Sequence, residues 1–84
     1  MEAEQILELM RGYFSGKESA DTLAALPDLQ PRQLLKESLD YVDFVVYLEE
    51  ELDREIDISQ VGAALQNLNF RELSAEVSRM LETA

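Results

Sequence analysis

The fold of this chain is decided between residues 37 and 56, which read ESLDYVDFVVYLEEELDREI. Apolar side chains recur there at intervals of three and four residues, which is the spacing of one face of an α-helix. The broad apolar face is expected to pack on a core and comprises Tyr41, Phe44, Val45, Leu48 and Leu52. The stretch predicts one long helix from about Ser38 to Asp53, called the acidic helix below.

A second, narrower apolar strip lies on nearly the opposite side of the acidic helix and comprises Leu39, Val42 and Val46. Acidic side chains flank this strip at Asp43, Glu49, Glu50 and Asp53. An apolar strip rimmed by charge is typical of a surface that binds another protein. Scattered surface valines also occur without any function, so the pattern alone leaves both interpretations open.

The negative charge of the chain is concentrated in the same stretch. The 84 residues carry a net charge of −11, and residues 37–57 hold nine acids and one base. Such a field repels phosphate backbones, so no nucleic-acid partner is expected. It attracts proteins that carry Lys and Arg patches, and it destabilises the fold by self-repulsion. A monomer is expected.

The composition excludes several classes of chemistry. The chain has no Cys and no His, so it has no disulfide, no thiolate metal site and no Ser–His pair. No apolar run is long enough to cross a bilayer, and the acidic N-terminal stretch is unlike a signal peptide. We therefore expect a cytoplasmic protein.

Three more helices are predicted around the acidic helix. The first spans residues 2–14, with Gly16 as its C-cap. Ser59 is expected to cap a short helix over Gln60–Leu65, and Asn69 a last helix over Phe70–Leu81. The expected architecture is an all-α four-helix bundle, formed as a single domain over residues 1–84.

A long connection separates the first helix from the acidic helix. It covers residues 15–37 and contains Pro27 and Pro31. Connections of this length are uncommon unless they are functional or locally structured. Short helical turns are predicted at Ala20–Leu26 and Pro31–Leu35. The leucines of the connection are expected to be buried, so that it forms a packed loop.

Ser38 stands at the start of the acidic helix without a partner that could activate it. A nucleophilic serine needs a base in hydrogen-bond reach, and Lys36 is expected to stay protonated among the acids. In the purely structural interpretation, Ser38 is the N-cap of the helix. Carboxylates on so acidic a helix are expected to be a solvated face, so no catalysis is expected.

A calcium loop beginning at Asp53 fails on its key positions. The sixth position needs Gly and the twelfth needs Glu, whereas the chain has Ile58 and Ala64 there. No metal site is expected.

Residues 34–56 resemble the acyl carrier protein family. The family's second helix begins with Asp-Ser-Leu and continues as an acidic run of the form Asp-x-Val-Glu-Leu-Val-x-x-Leu-Glu-Glu-Glu-Phe. The run from Glu37 to Leu52 follows this pattern without a gap, and Asp53, Glu55 and Ile56 continue it. The size, the acidity, the long first loop and the short third helix are also similar to the family.

The resemblance implies a stand-alone carrier whose Ser38 holds 4′-phosphopantetheine. A separate phosphopantetheinyl transferase would transfer this arm from coenzyme A, using Mg²⁺. The partners implied are acyl-transferring, ketosynthase and other acyl-processing enzymes with basic docking patches, in fatty-acid, polyketide or specialised lipid pathways. The docking residues implied are Glu37, Leu39, Asp40, Val42, Asp43, Val46, Glu49, Glu50 and Asp53. The residues implied for an acyl cavity are Phe44, Val45, Tyr47, Leu48, Leu52 and Ile56.

The chain departs from the family pattern at several positions. Leu35 replaces the usual Gly three residues before the serine, and Glu37 replaces the usual Asp. Larger side chains than in common fatty-acid carriers stand at Tyr41, Phe44 and Tyr47. We therefore expect a narrowed or reshaped acyl cavity and a specialised pathway.

Other interpretations remain. A peptidyl or aminoacyl carrier usually has a less acidic second helix, which argues mildly against that cargo. The alternative from a different class is a non-carrier acidic helical module, in which Ser38 is only a helix N-cap.

Overall fold

The structure, a computed structural model, describes residues 2–83 and is all-helical over that range. The α-helices are α1 (Ala3–Phe14), α2 (Ala20–Ala25), α3 (Pro31–Leu34), α4 (Ser38–Leu52), α5 (Ile58–Asn67) and α6 (Phe70–Thr83). A 3₁₀ turn at Leu26–Asp28 separates α2 from α3. The predicted all-α class is confirmed, and α4 is the predicted acidic helix. The four predicted helices correspond to α1, α4, α5 and α6, and the two helical turns predicted in the connection are α2 and α3.

The connection folds as the sequence predicts. The Ser19 hydroxyl oxygen accepts a hydrogen bond from the backbone N–H of Thr22 at 3.2 Å, which caps the start of α2. Pro27 lies in the 3₁₀ turn, and Pro31 is the first residue of α3. Proline suits this position because an N–H there would have no partner within the helix. Leu26, Pro31 and Leu35 are buried, so the connection is a packed part of the core.

The third long helix, α5, begins earlier than predicted and is longer. Its N-cap is Asp57, whose carboxylate accepts the backbone N–H of Ser59 at 2.9 Å and the Ser59 hydroxyl at 2.6 Å. The prediction that Ser59 is the cap is therefore wrong, because Asp57 is the cap and Ser59 lies inside the first turn. At α6 the predicted cap is confirmed, since the Asn69 side chain accepts the backbone N–H of Glu72 at 2.8 Å.

The C-terminal ends of α1 and α4 have different caps. Gly16 is not the C-cap: α1 ends at Phe14, and its C-cap is Ser15, a right-handed residue whose hydroxyl donates to the carbonyl of Gly12 at 2.8 Å. Asp53 instead adopts the left-handed conformation, with φ 53° and ψ 40°, and ends α4. Asp tolerates this region better than most residues that carry a side chain.

The core is built around aromatic rings from three helices. Phe14 of α1, Phe44 of α4 and Phe70 of α6 are almost fully buried, with ring centroids 5.5–6.1 Å apart. Tyr13 and Tyr47 extend the cluster, with their ring centroids 5.1 Å apart. These five residues are called the aromatic cluster below. In residues 2–83, α1 and α6 pack against each other more extensively than any other two helices.

Candidate functional site

Ser38 is the first residue of α4 and is exposed to solvent. The N-cap is Glu37, in extended conformation with φ −120° and ψ 160°. The Asp40 carboxylate folds back and accepts the backbone N–H of Glu37 at 3.0 Å and that of Lys36 at 3.1 Å. The interpretation of Ser38 as the N-cap is therefore wrong, because Glu37 and Asp40 form the cap one residue earlier.

This arrangement leaves the Ser38 hydroxyl available for chemistry. Within residues 2–83, no hydrogen bond engages its side chain. The positive end of the helix dipole favours a negative group at this end of α4. The position therefore suits an ester of phosphate on the Ser38 oxygen.

The predicted docking strip is open to solvent along α4. The exposed fractions are 71% for Leu39, 41% for Val42 and 43% for Val46. Three apolar side chains exposed on one helix face are a surface suited to contact with a partner. Their docking role stays a prediction.

The acidic rim contains two kinds of residue. Asp43, Glu50 and Asp53 are exposed. Asp40 and Glu49 are half-buried and already bonded: Asp40 caps α4, and the Glu49 carboxylate accepts the backbone N–H of Ile56 at 2.8 Å. The structural tasks of Asp40 and Glu49 were not visible in the sequence.

A wide groove of about 830 Å³ follows the C-terminal half of α4, and its lining consists of Val46, Glu49, Glu50 and residues 53–57. Its one basic side chain is Arg54, which donates to the carbonyl of Leu81 at 3.3 Å and so ties the turn after α4 to α6. The groove continues the docking strip with a strongly negative surface. It complements a basic partner.

The residues implied for an acyl cavity lie in or beside the core. Phe44, Val45, Leu48 and Ile56 are buried, and Tyr47 and Leu52 are half-buried. Phe44 is closed in by the rings of Tyr13, Phe14 and Phe70. Ile56 lines a pocket of about 130 Å³ with Val77 and Leu81, beyond the far end of α4 from Ser38. The structure does not bring the six residues together around one chamber.

Burial raises the pKa of both tyrosines in the aromatic cluster. For Tyr13 the charges of Asp43 and Asp40 raise the pKa further, and for Tyr47 the charge of Glu51 does so. Both phenols are therefore neutral at physiological pH.

A small pocket beside the start of α4 was missed by sequence reasoning. It has a volume of about 100 Å³, and its lining consists of Tyr13, Phe14, Lys17, Glu18, Leu34, Leu35 and Asp40. This is called the serine-side pocket below. The Lys17 ammonium lies 4.6 Å from the centroid of the Tyr13 ring, a cation–π distance. The only hint in the sequence is Leu35, which contributes part of the apolar wall.

The chain matches no protein-family model, no curated protein and no solved structure. None of the described helices is both long and apolar enough to cross a membrane. Among residues 2–83, no three acidic side chains are grouped so that they could hold a metal ion.

Proposed function

We propose that this chain is an acyl carrier protein that carries a 4′-phosphopantetheine arm on Ser38. The observation that carries the proposal is an exposed serine hydroxyl, free of hydrogen bonds within the described chain, at the first residue of the most acidic helix. When attached, the arm supplies a thiol that holds acyl groups as thioesters. The chain itself supplies the attachment point and the surface that partner enzymes bind.

Arm attachment uses a separate transferase with Mg²⁺, because Ser38 has no base of its own. The Ser38 oxygen forms a bond to the phosphorus that carries the pantetheine group of coenzyme A. The pyrophosphate bond of coenzyme A breaks, and adenosine 3′,5′-bisphosphate leaves. The hydroxyl proton passes to a base on the transferase. A positive helix end at Ser38 favours the resulting phosphodiester.

Partner enzymes would dock on the exposed strip of α4. Leu39, Val42 and Val46 provide apolar contact, and the free carboxylates of Asp43 and Glu50 provide attraction for Lys and Arg. The transferase and the acyl-processing enzymes share this requirement, because each must bring its active site to Ser38. The strip begins beside Ser38 and meets that requirement.

The aromatic cluster supports a specialised cargo. Phe14, Phe44 and Phe70 occupy the space between α1, α4 and α6 with rings in mutual contact. A long alkyl chain could enter there only by displacing these rings. We expect the melting temperature to be nearly independent of acyl chain length, whereas a carrier that shelters its chain is stabilised by each added methylene.

The test is the intact mass after incubation with coenzyme A, Mg²⁺ and a broad-specificity phosphopantetheinyl transferase. We expect a gain equal to one arm, lost in Ser38→Ala and kept in Ser15→Ala, which removes an exposed serine elsewhere. Because Ser38 is not the N-cap, the alanine variant should remain folded. A folded wild-type protein that gains no mass contradicts the proposal.

The alternative function is a non-carrier acidic interaction module. The exposed docking strip favours it as much as it favours a carrier. In that case Ser38→Ala would leave partner binding intact, whereas Val42→Asp would abolish it.

A further inference from the structure

We propose that the serine-side pocket seats the proximal part of the phosphopantetheine arm. This is the branched segment after the phosphate, which carries two methyl groups, a hydroxyl and the first amide. The inference rests on the proposed function of Ser38. It adds a binding site for the arm between α1, α3 and α4.

Position is the first argument. The pocket lining includes Leu35, three residues before Ser38, and Asp40, two residues after it. These two residues bracket the attachment point along the chain. An arm on Ser38 starts within three residues of this lining along the chain, whereas the pocket at Ile56 lies past the end of a helix of 15 residues.

Shape and polarity are the second argument. The walls are apolar side chains, Tyr13, Phe14, Leu34 and Leu35, in a volume of about 100 Å³. This space accepts a small branched group of carbon atoms and is too small for a long alkyl chain. Burial of two methyl groups there removes apolar surface from water.

The rim of the pocket supplies the polar partners. The carboxylates of Glu18 and Asp40 accept hydrogen bonds, and the arm offers a hydroxyl and an amide N–H as donors. The ammonium of Lys17 is the basic group of the lining, and within residues 2–83 no carboxylate forms an ion pair with it. Lys17 is thus available to the phosphate or a carbonyl of the arm.

The experiment uses the full chain, modified with an arm labelled with ¹³C at its two methyl groups. Mass spectrometry first shows complete modification. Nuclear Overhauser effects (NOEs) from the labelled methyl groups are then recorded. We expect contacts with the Tyr13 ring and the methyl groups of Leu34 and Leu35.

Two variants and one control test whether the pocket holds the arm. Leu34→Ala removes a wall and Lys17→Gln removes the cation; each should weaken the NOEs to Tyr13 at least twofold. Lys17 is exposed, so its variant should remain folded. Ile58→Ala, an exposed apolar residue on α5, should change nothing.

The outcomes separate the two proposals. A fully modified chain whose arm contacts α5, at Val61 or Leu65, or contacts no part of the protein, overturns the pocket assignment and leaves the carrier proposal standing. A folded chain that accepts no arm overturns both.

Discussion

The hydroxyl oxygen of Tyr47 on α4 lies 3.3 Å from the point where a Cβ on Gly12 of α1 would stand. The glycine lets the two helices approach while Tyr47 stays in the aromatic cluster. A glycine inside a helix costs about 1 kcal/mol relative to alanine. This contact explains why a glycine stands in the last turn of α1.

The contact predicts coupling between Gly12 and Tyr47. Gly12→Ala should gain less stability in the wild-type chain than in Tyr47→Phe, because the phenylalanine lacks the oxygen that the new methyl group would meet. The coupling free energy from urea unfolding of the four proteins should exceed about 0.5 kcal/mol. Additive effects of the two substitutions would show that the contact does not matter.

The cap of α4 predicts a small effect of alanine substitution at Ser38 and a larger one at Asp40. Ser38→Ala should change the free energy of unfolding by less than about 0.5 kcal/mol, since no hydrogen bond is lost. Asp40→Ala should cost about 1 kcal/mol, because it frees the N–H groups of Glu37 and Lys36. Chemical denaturation of both variants is the measurement. The reverse order would restore Ser38 as the cap.

The aromatic cluster predicts a large cost at Phe44. Phe44→Ala should destabilise the protein by about 3–5 kcal/mol, which is a large share of the stability of a small domain. Val42→Ala, an exposed position on the same helix, is the matched control and should cost less than about 0.5 kcal/mol. Urea unfolding followed by circular dichroism compares them. Similar costs at the two positions would mean that the rings do not form the core.

The cap of α5 predicts a pH dependence. Hydrogen bonds from the Ser59 hydroxyl and N–H lower the pKa of Asp57 in the folded chain. The stabilisation is complete above the ordinary pKa of about 4, and it is lost as the pH falls through the lower folded value. The stability advantage of the wild type over Asp57→Asn should therefore fade below about pH 4.

Measurement of this effect needs a control for the general relief of repulsion in acid. Glu55→Gln removes an exposed charge two residues earlier and leaves the Asp57–Ser59 hydrogen bonds in place. Its melting temperature relative to wild type should not show the same loss. An Asp57→Asn difference that is constant from pH 7 to pH 3 would contradict the assignment.

The free carboxylates of α4 predict partner recognition. Asp43→Lys and Glu50→Lys should each lower kcat/KM for arm attachment several-fold, chiefly through KM, without lowering the melting temperature. Glu4→Lys, an exposed charge reversal on α1, is the matched control. If all three variants reacted alike, net charge rather than the α4 surface would determine the rate.

Helix positions were readable from the sequence where one pattern dominated. The apolar period of α4 and the Asn69 cap of α6 each predict an element that the structure contains. The caps of α4 and α5 were misassigned because a serine and an acid stand close together at both. Either side chain can cap a helix, and the path of the backbone decides between them.

The serine-side pocket lay beyond sequence reasoning for a different reason. Tyr13 and Leu34 meet there from segments that are far apart in the chain, and neither segment carries a periodic signal for the contact. The same holds for Gly12, whose role depends on a tyrosine in another helix. Local patterns report helices, whereas these features arise from how the helices pack.

The packing of α1 on α6 has a consequence for synthesis of the protein. Ser74 of α6 contacts the sulfur of Met10 at 3.4 Å across 64 residues, and both side chains are buried. A nascent chain that stops short of residue 70 would lack α6. Ile6, Met10 and Phe14 would then form an exposed apolar surface that is prone to aggregation. The apolar face of α1 is therefore covered only after α6 has been synthesised.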